Sequence, residues 1–230
     1  MANILITGAN RGIGLALTRL YAQRGDAVFA CCRAPARAEQ LQALAQSYSV
    51  KVLELDVADS ASVAARARAL ASETIDTLIN NAGIIGQPRE RQTASNMDFA
   101  LWTEILNVNT LGPVRVMQAL LPQLKRSSRA KVMNVTSDLG ALSHDDPMFF
   151  GYSASKAGLN KFMRLSALEL KREGVAIGLI HPGWVQTDMG GAEAPISPLA
   201  SAIGIVKVID QLDLENAGGF WKWDGTVQTW

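Results

Sequence analysis

Ile4-Leu5-Ile6-Thr7-Gly8-Ala9-Asn10-Arg11-Gly12-Ile13-Gly14 is the stretch that decides the fold. The β-branched and aliphatic residues at its start predict a short buried strand. Leu15, Leu17, Leu20 and Tyr21 then recur at helical spacing as far as Arg24-Gly25, so a helix follows the glycines. Strand, glycine turn and helix in this order form a mononucleotide-binding unit. Gly8, Gly12 and Gly14 remove the Cβ atoms that would keep backbone away from a pyrophosphate. The loop, with Asn10, Arg11 and Ile13 between the glycines, ends at a helix N-terminus whose free N–H groups attract anions. No Gly-Lys-Ser/Thr run is present, so this is not a nucleoside triphosphatase loop.

Moving outward, Ala27 to Cys31 predicts a second strand, parallel to the first and ending near Cys32-Arg33. At this place a carboxylate usually binds the ribose hydroxyls of NAD, whereas a basic group takes the extra phosphate of NADP. Cys32 and Arg33 stand there instead of an acid, with Arg11 nearby, and a guanidinium forks well onto phosphate. NADP(H) is therefore the expected cofactor and NAD(H) the alternative. Ala36 to Gln46 predicts a helix and Val50 to Leu55 a strand closed by Asp56-Val57. Asp56 either meets the adenine amino group or caps a turn. Ser60 is the expected cap of a helix through Val63, Ala67 and Leu70. Ile75 to Ile79 predicts a strand running into Asn80-Asn81-Ala82-Gly83, whose side-chain amides suit a hydrogen-bonded turn bordering the cofactor.

A helix from Asp98 carries Leu101, Ile105 and Leu106, is interrupted at Asn107-Val108-Asn109 and resumes to Leu124. An asparagine inside a helix offers the backbone competing bonds, so Asn109 is expected to mark a kink that binds water. Lys131 to Thr136 predicts a strand that delivers Ser137 to the carboxyl edge, where open α/β sheets bind ligands. Val175 to Ile180 predicts another, after which His181 to Asp188 leaves the sheet at the same edge. Met189 to Ser197, with two glycines and Pro195, reads as a mobile flap, and residues 188–198 are its expected extent. Pro198 to Leu212 closes the helices and Phe220 to Trp223 the strands. Unbroken β–α alternation predicts one domain over residues 1–230: α/β, doubly wound, Rossmann-type, with a seven-stranded parallel sheet flanked by helices on both faces.

Gly151-Tyr152-Ser153-Ala154-Ser155-Lys156 opens a periodic run through Leu159, Phe162, Met163, Leu165 and Leu168, which predicts a helix starting near Ser153 or just before it. Positions four apart share a helix face, so Tyr152 and Lys156 are neighbours. A free tyrosine has a pKa of about 10, and bringing it to ~7 takes roughly 4 kcal/mol. One ammonium about 4–5 Å away, at an effective dielectric of ~20, supplies about 3–4 kcal/mol. Phenol and ammonium together are therefore a candidate proton-transfer device.

Bulk properties narrow the function classes. The chain has 230 residues, 48% of them hydrophobic, and a formal net charge of +1, with a mean hydropathy of +0.10. That suits one large globular domain. No basic excess points to nucleic acid or an anionic membrane, and no apolar segment is long enough to span a bilayer. Cys31 and Cys32 are adjacent and cannot form a disulfide framework, which fits a reducing, cytoplasmic setting. The N-terminus enters its strand without a basic region or cleavage signal. Neither His144 nor His181 lies in a ligand-spaced cluster, so no protein-held catalytic metal is expected.

Taken in order, Thr7-Gly8-xxx-Gly12-x-Gly14, Asn80-Asn81-Ala82-Gly83, Asn109 before Gly112, Ser137, Tyr152-xxx-Lys156 and Pro182-Gly183 resemble the short-chain dehydrogenase/reductase family over essentially the whole chain. The segment Gly183 to Met189 and the Trp223-Asp224-Gly225 tail look most like the small C-factor-type carbonyl reductases. The resemblance implies NADPH-dependent reduction of a small aldehyde or ketone. Tyr152 would be the general acid; Lys156 would lower its pKa and hold the nicotinamide ribose. Ser137 would hydrogen-bond the carbonyl oxygen, and Asn109 would hold a proton-passing water. Thr187 and the backbone around Val185, after Pro182-Gly183, would grip the carboxamide. Asn81, Ala82 and Gly83 would border the cofactor. A homodimer or homotetramer is the implied assembly. The Ser137–Tyr152 interval, with His144-Asp145-Asp146-Pro147, is slightly long for the family and reads as a loop at the site mouth. Trp184, Trp221, Trp223 and Trp230 are expected in the core, with substrate lining or an interface as the alternative. NAD-dependent alcohol oxidation and a dinucleotide-binding signalling role with little turnover are the competing functions.

Overall fold

The computed structural model describes the whole chain, Met1–Trp230. Strand β1, Asn3–Thr7, is buried at four of its five residues and sits between β2, Ala27–Cys32, and β4, Thr77–Asn80. Val50–Glu54 forms β3, Lys131–Val135 β5, Ala176–His181 β6 and Phe220–Lys222 β7. The seven lie in the order β3-β2-β1-β4-β5-β6-β7, and every pairing is parallel. The chain runs outward one way from β1 to β3 and the other way from β4 to β7. The carboxyl ends of β1 and β4 therefore border a topological switch point, the place where such sheets take ligands.

Seven α-helices cover the sheet: α1, Gly12–Gln23; α2, Glu39–Ser47; α3, Ser60–Ala69; α4, Phe99–Leu106; α5, Gly112–Leu124; α6, Phe150–Leu170; and α7, Pro198–Gln211. Side chains of a strand alternate between faces, and β1 shows the result. Ile4 and Ile6 enter a core of 25 buried residues with Leu17, Leu41 and Ile205. Leu5 enters a second core of 24 with Met117, Leu120, Leu159 and Met163. Neither face of β1 is left to solvent, which is why Ile4-Leu5-Ile6 reads as a continuous apolar run. No helix is long and apolar enough to cross a membrane.

The expected fold class holds, and most strands lie within two residues of their expected bounds. Two local expectations are corrected and two are sharpened. The helix predicted over Ala36 to Gln46 is a short turn at Pro35–Arg37 followed by α2 from Glu39, because Ala38 is non-helical at φ −94°, ψ 61°. Helix α3 is capped by Asp59 and not Ser60: the Asp59 carboxylate accepts from the Ala61 N–H at 2.9 Å. Helix α6 starts at Phe150, just before Ser153 as expected, after Phe149 in the left-handed region at φ 45°. Its periodic run is two-sided: Leu159 and Met163 are buried, while Phe162, Leu165 and Leu168 are exposed. The expected kink near Asn109 is a π turn, Asn107–Leu111, joining α4 to α5.

The segment read as a flap is stitched to the chain before it. Gln186 N–H donates to the Ile196 carbonyl at 2.8 Å, the Gln186 side chain to Ala194 at 2.9 Å, and the Trp184 indole to Gly190 at 2.7 Å. Trp184 itself is exposed, whereas Trp221 and Trp223 pack on the first core and Trp230 stacks on Phe220 at 5.3 Å.

Candidate active site

Gly8 at φ 64° and Gly12 at φ 53° occupy backbone conformations that L side chains rarely adopt, and they turn the chain from β1 into α1. Thr7 and Asn81 fix this loop to the end of β4. The Thr7 hydroxyl accepts the N–H groups of Asn81 and Ala82 at 3.0 and 3.1 Å, and the Asn81 amide donates to the Thr7 and Gly8 carbonyls. Ala82 presses on the loop so closely that a Cβ on Gly8 would lie 2.9 Å from the Ala82 Cα. The first turn of α1 contains no acid, and its leading N–H groups lack intrahelical partners. Arg33 is exposed at the end of β2 and forms no ion pair. Free N–H groups and cations, with no carboxylate at the end of β2, are a donor set that fits an anionic dinucleotide.

Next to this loop, four polar side chains are buried together. Asn109, fully buried, donates to the Ile84 carbonyl at 2.7 Å and to the Ser155 hydroxyl at 3.1 Å. It accepts the Ile84 N–H at 2.9 Å. Lys156, also buried, donates to the Val135 carbonyl at 3.0 Å. A Cβ on Gly83 would stand 3.3 Å from Asn109 Oδ1 and 3.6 Å from Lys156 Nζ, so the end of β4, the π turn and α6 meet at one point. Tyr152 and Ser137 are each 7% exposed. Ser137, at the end of β5, donates to the Asp138 carboxylate at 3.1 Å and accepts from Leu139 N–H at 3.2 Å.

The electrostatics differ from expectation. Burial pushes the Tyr152 phenol up to about 12, Asp138 adds to the rise, and the Ser137 hydroxyl pulls the other way. Burial brings Lys156 down to about 8. The protein's own groups thus raise the phenol where the neighbouring ammonium was expected to lower it. The reason is geometric: the Lys156 ammonium lies over the Tyr152 ring, 5.7 Å from its centroid, and a fully buried phenolate loses more hydration than that contact returns.

The remaining predicted residues fall around this centre. Pro182 and Gly183 carry the chain off β6, with the Pro182 carbonyl accepting from Ser201 at 2.7 Å. Thr187 donates to the Val185 carbonyl at 3.3 Å and accepts from Gly190 N–H at 3.1 Å. It reaches the glycine loop, since a Cβ on Gly12 would lie 3.0 Å from its methyl group. Arg11 is ion-paired with Asp188. Asn10 is exposed. Asp56 caps a turn, accepting from Ala58 N–H at 2.9 Å, and Val57 packs under Gly112. The Cys32 side chain lies in the first core, so only its backbone is left at the carboxyl end of β2.

Two groups escaped the sequence reading. Gln92, fully buried, bonds to the backbone of Tyr152; a lone glutamine in a polar stretch carries no signal for this. Asp138 draws both of the chain's histidines, with His181 Nε2 at 3.5 Å and His144 Nε2 at 3.9 Å. Its position beside Ser137 was the available clue.

Comparison with known proteins agrees with this architecture. The family model described as short chain dehydrogenase matches residues 2–195. C-signal of Myxococcus xanthus is 40% identical over 157 residues, covering 68% of this chain and 93% of that one. The carbonyl reductase Sniffer of D. melanogaster superposes with a TM-score of 0.93 at 30% identity, covering 100% of both chains. An NADPH-bound carbonyl reductase from chicken fatty liver gives 0.92 at 32% identity, covering 100% of this chain and 99% of that one. The chain belongs to the short-chain dehydrogenase family and is an oxidoreductase.

Proposed function

We propose that the protein is an NADPH-dependent reductase of small aldehydes or ketones. The observation that carries this is the burial of Tyr152, Lys156, Ser137 and Asn109 at one sheet edge, beside a loop built for a dinucleotide. A nicotinamide bound there would supply the hydride. Tyr152, held as a phenol by its burial, gives its proton to the substrate oxygen. Ser137 turns its hydroxyl from Asp138 to that oxygen and stabilises the charge that develops there. Lys156 holds the nicotinamide ribose and passes protons to the phenol. The Asn109 amide donors are spent on Ile84 and Ser155, so a relay water would donate to an oxygen of Asn109. Thr187 and Val185 orient the carboxamide, and Arg33 with Arg11 takes the 2′-phosphate; the NADP-bound relatives support this choice over NAD.

The proposed homo-oligomer has a surface suited to it in the exposed Phe162, Leu165 and Leu168 of α6. Residues 188–198 would border the substrate. NADPH oxidation against a panel of aldehydes, ketones, diketones and quinones tests the function. Turnover that disappears in Tyr152→Phe, with NADPH binding kept, is the expected result. No turnover across the panel would leave a dinucleotide-binding role without chemistry.

A further inference from the structure

Gln92 is fully buried in a loop remote in sequence from the catalytic candidates, and every polar atom of its side chain is used. Its Oε1 accepts the Tyr152 backbone N–H at 3.1 Å. Its Nε2 donates to the Ile85 carbonyl at 2.9 Å and to the Gly86 carbonyl. Its own carbonyl accepts the Phe150 N–H at 3.3 Å. The first N–H groups of a helix have no intrahelical partner, and Phe149, the residue before α6, offers no side-chain cap. Gln92 caps α6 from 60 residues away, at the turn that carries Tyr152. The carbonyls it holds at the other end continue from Ile84, the residue bonded twice by Asn109. Hydrogen bonds from Asn109 to Ile84, the peptide bond to Ile85, and hydrogen bonds from Ile85 through Gln92 to Tyr152 thus form one continuous connection.

We infer that Gln92 is a positioning residue, which fixes the Tyr152 phenol relative to the Asn109–Lys156 centre by bolting the start of α6 to the loop after β4. The inference rests on Tyr152 being the acid. Gly151 belongs to the same device: a Cβ there would stand 3.0 Å from Gln92 Oε1 and 3.0 Å from the Trp102 ring, so glycine lets the amide approach. Displacement of a reacting group by ~1 Å costs on the order of a hundredfold, so losing the bolt should lower kcat by about ten- to a hundredfold while NADPH binding, most of it proposed for the glycine loop and not for the first turn of α6, changes little.

Gln92→Glu gives the sharper readout. As a carboxylic acid it accepts from Tyr152 N–H and donates once to Ile85 or Gly86; ionised, it loses its donor and buries a charge. The full-length protein with NADPH is assayed across pH 5 to 9, roughly the range in which a buried carboxyl titrates, with NADPH fluorescence and thermal unfolding followed in parallel. The expected result is near-normal kcat at low pH that falls with rising pH in Gln92→Glu alone, while cofactor stays bound. Gly151→Ala should lose kcat in the same sense. A Gln92→Glu profile superimposable on wild type, or a loss of activity that merely tracks unfolding, would overturn the inference. Tyr152→Phe separates the two assignments. Full turnover there removes the acid, whereas an inactive Tyr152→Phe beside fully active Gln92 variants removes only the positioning role.

Discussion

The ammonium of Lys156 and the carbonyl of Val135 are bonded at 3.0 Å, so the lysine beside Tyr152 is anchored to the end of β5 and not aimed at the phenol. Burial holds Lys156 at about 8, below the ordinary lysine value of about 10.4. Between these values the unfolded chain binds more protons, so stability gains as pH rises through that window. Above about 10 the raised Tyr152 works in the opposite sense. Urea midpoints at pH 8 and pH 10 should therefore differ between wild type and Lys156→Met, the wild type gaining on the order of 1–2 kcal/mol relative to the variant. Equal pH dependence in the two proteins would contradict the burial.

A positive charge on the oxidised nicotinamide stabilises a phenolate, so Tyr152 should titrate lower with NADP+ bound than with NADPH. Alcohol oxidation is then expected to rise with pH while carbonyl reduction stays level until strongly alkaline pH. Spectroscopic titration of tyrosinate in both binary complexes checks this; identical curves would exclude it.

Arg33 is exposed and unpaired where a 2′-phosphate would sit. Arg33→Ala should weaken NADPH by about 1.5–3 kcal/mol, the value of a charge-assisted bond, and leave NADH within about twofold. Isothermal titration with both cofactors decides it, and an equal loss for the two would remove Arg33 from phosphate recognition.

The ion pair between Arg11 of the glycine loop and Asp188 is exposed on both sides, at 64% and 74%. Such pairs contribute about 0–1 kcal/mol, so Asp188→Asn should leave the melting temperature nearly unchanged. Because Asp188 competes for the Arg11 guanidinium proposed for the 2′-phosphate, its neutralisation should slow NADPH release by about two- to tenfold, as read by stopped-flow displacement. A large loss of stability with unchanged release would mean that the pair serves the fold alone.

Asp138 contributes to holding the Tyr152 phenol up, and Asp138→Asn removes that charge while keeping an acceptor for Leu139 N–H. The pH profile for alcohol oxidation should move to lower pH in this variant. A profile that stays in place would show that the Asp138 charge does not reach the phenol.

The sheet and the glycine loop were legible because their signals are local: a run of β-branched residues, three glycines and a helical repeat lie within twenty-odd residues of one another. The Tyr152/Lys156 spacing was legible for the same reason. Gln92 was not, since its meaning depends on a backbone N–H 60 residues later. Asp59 in place of Ser60 shows the limit for caps, where adjacent residues of similar chemistry compete and geometry chooses. Cys32 shows another: its position at the strand end was readable, but the face its side chain takes depends on strand register against the core. The raised phenol was hidden most deeply, because a charge pair on paper says nothing of the dehydration both partners suffer.

The π turn at Asn107–Leu111 has a consequence for the phase of the helices on either side. A π turn is an α-helix that holds one residue more than its regular path needs. Each residue advances a helix by about 100°, so the insertion sets the rotation of α4 about its axis relative to α5. Deleting one residue from this turn would leave two well-formed helices and swing Ile105, now fully buried, toward solvent. The irregular turn is what lets α4 bury Ile105 and α5 its apolar side while Asn109 bonds to Ile84.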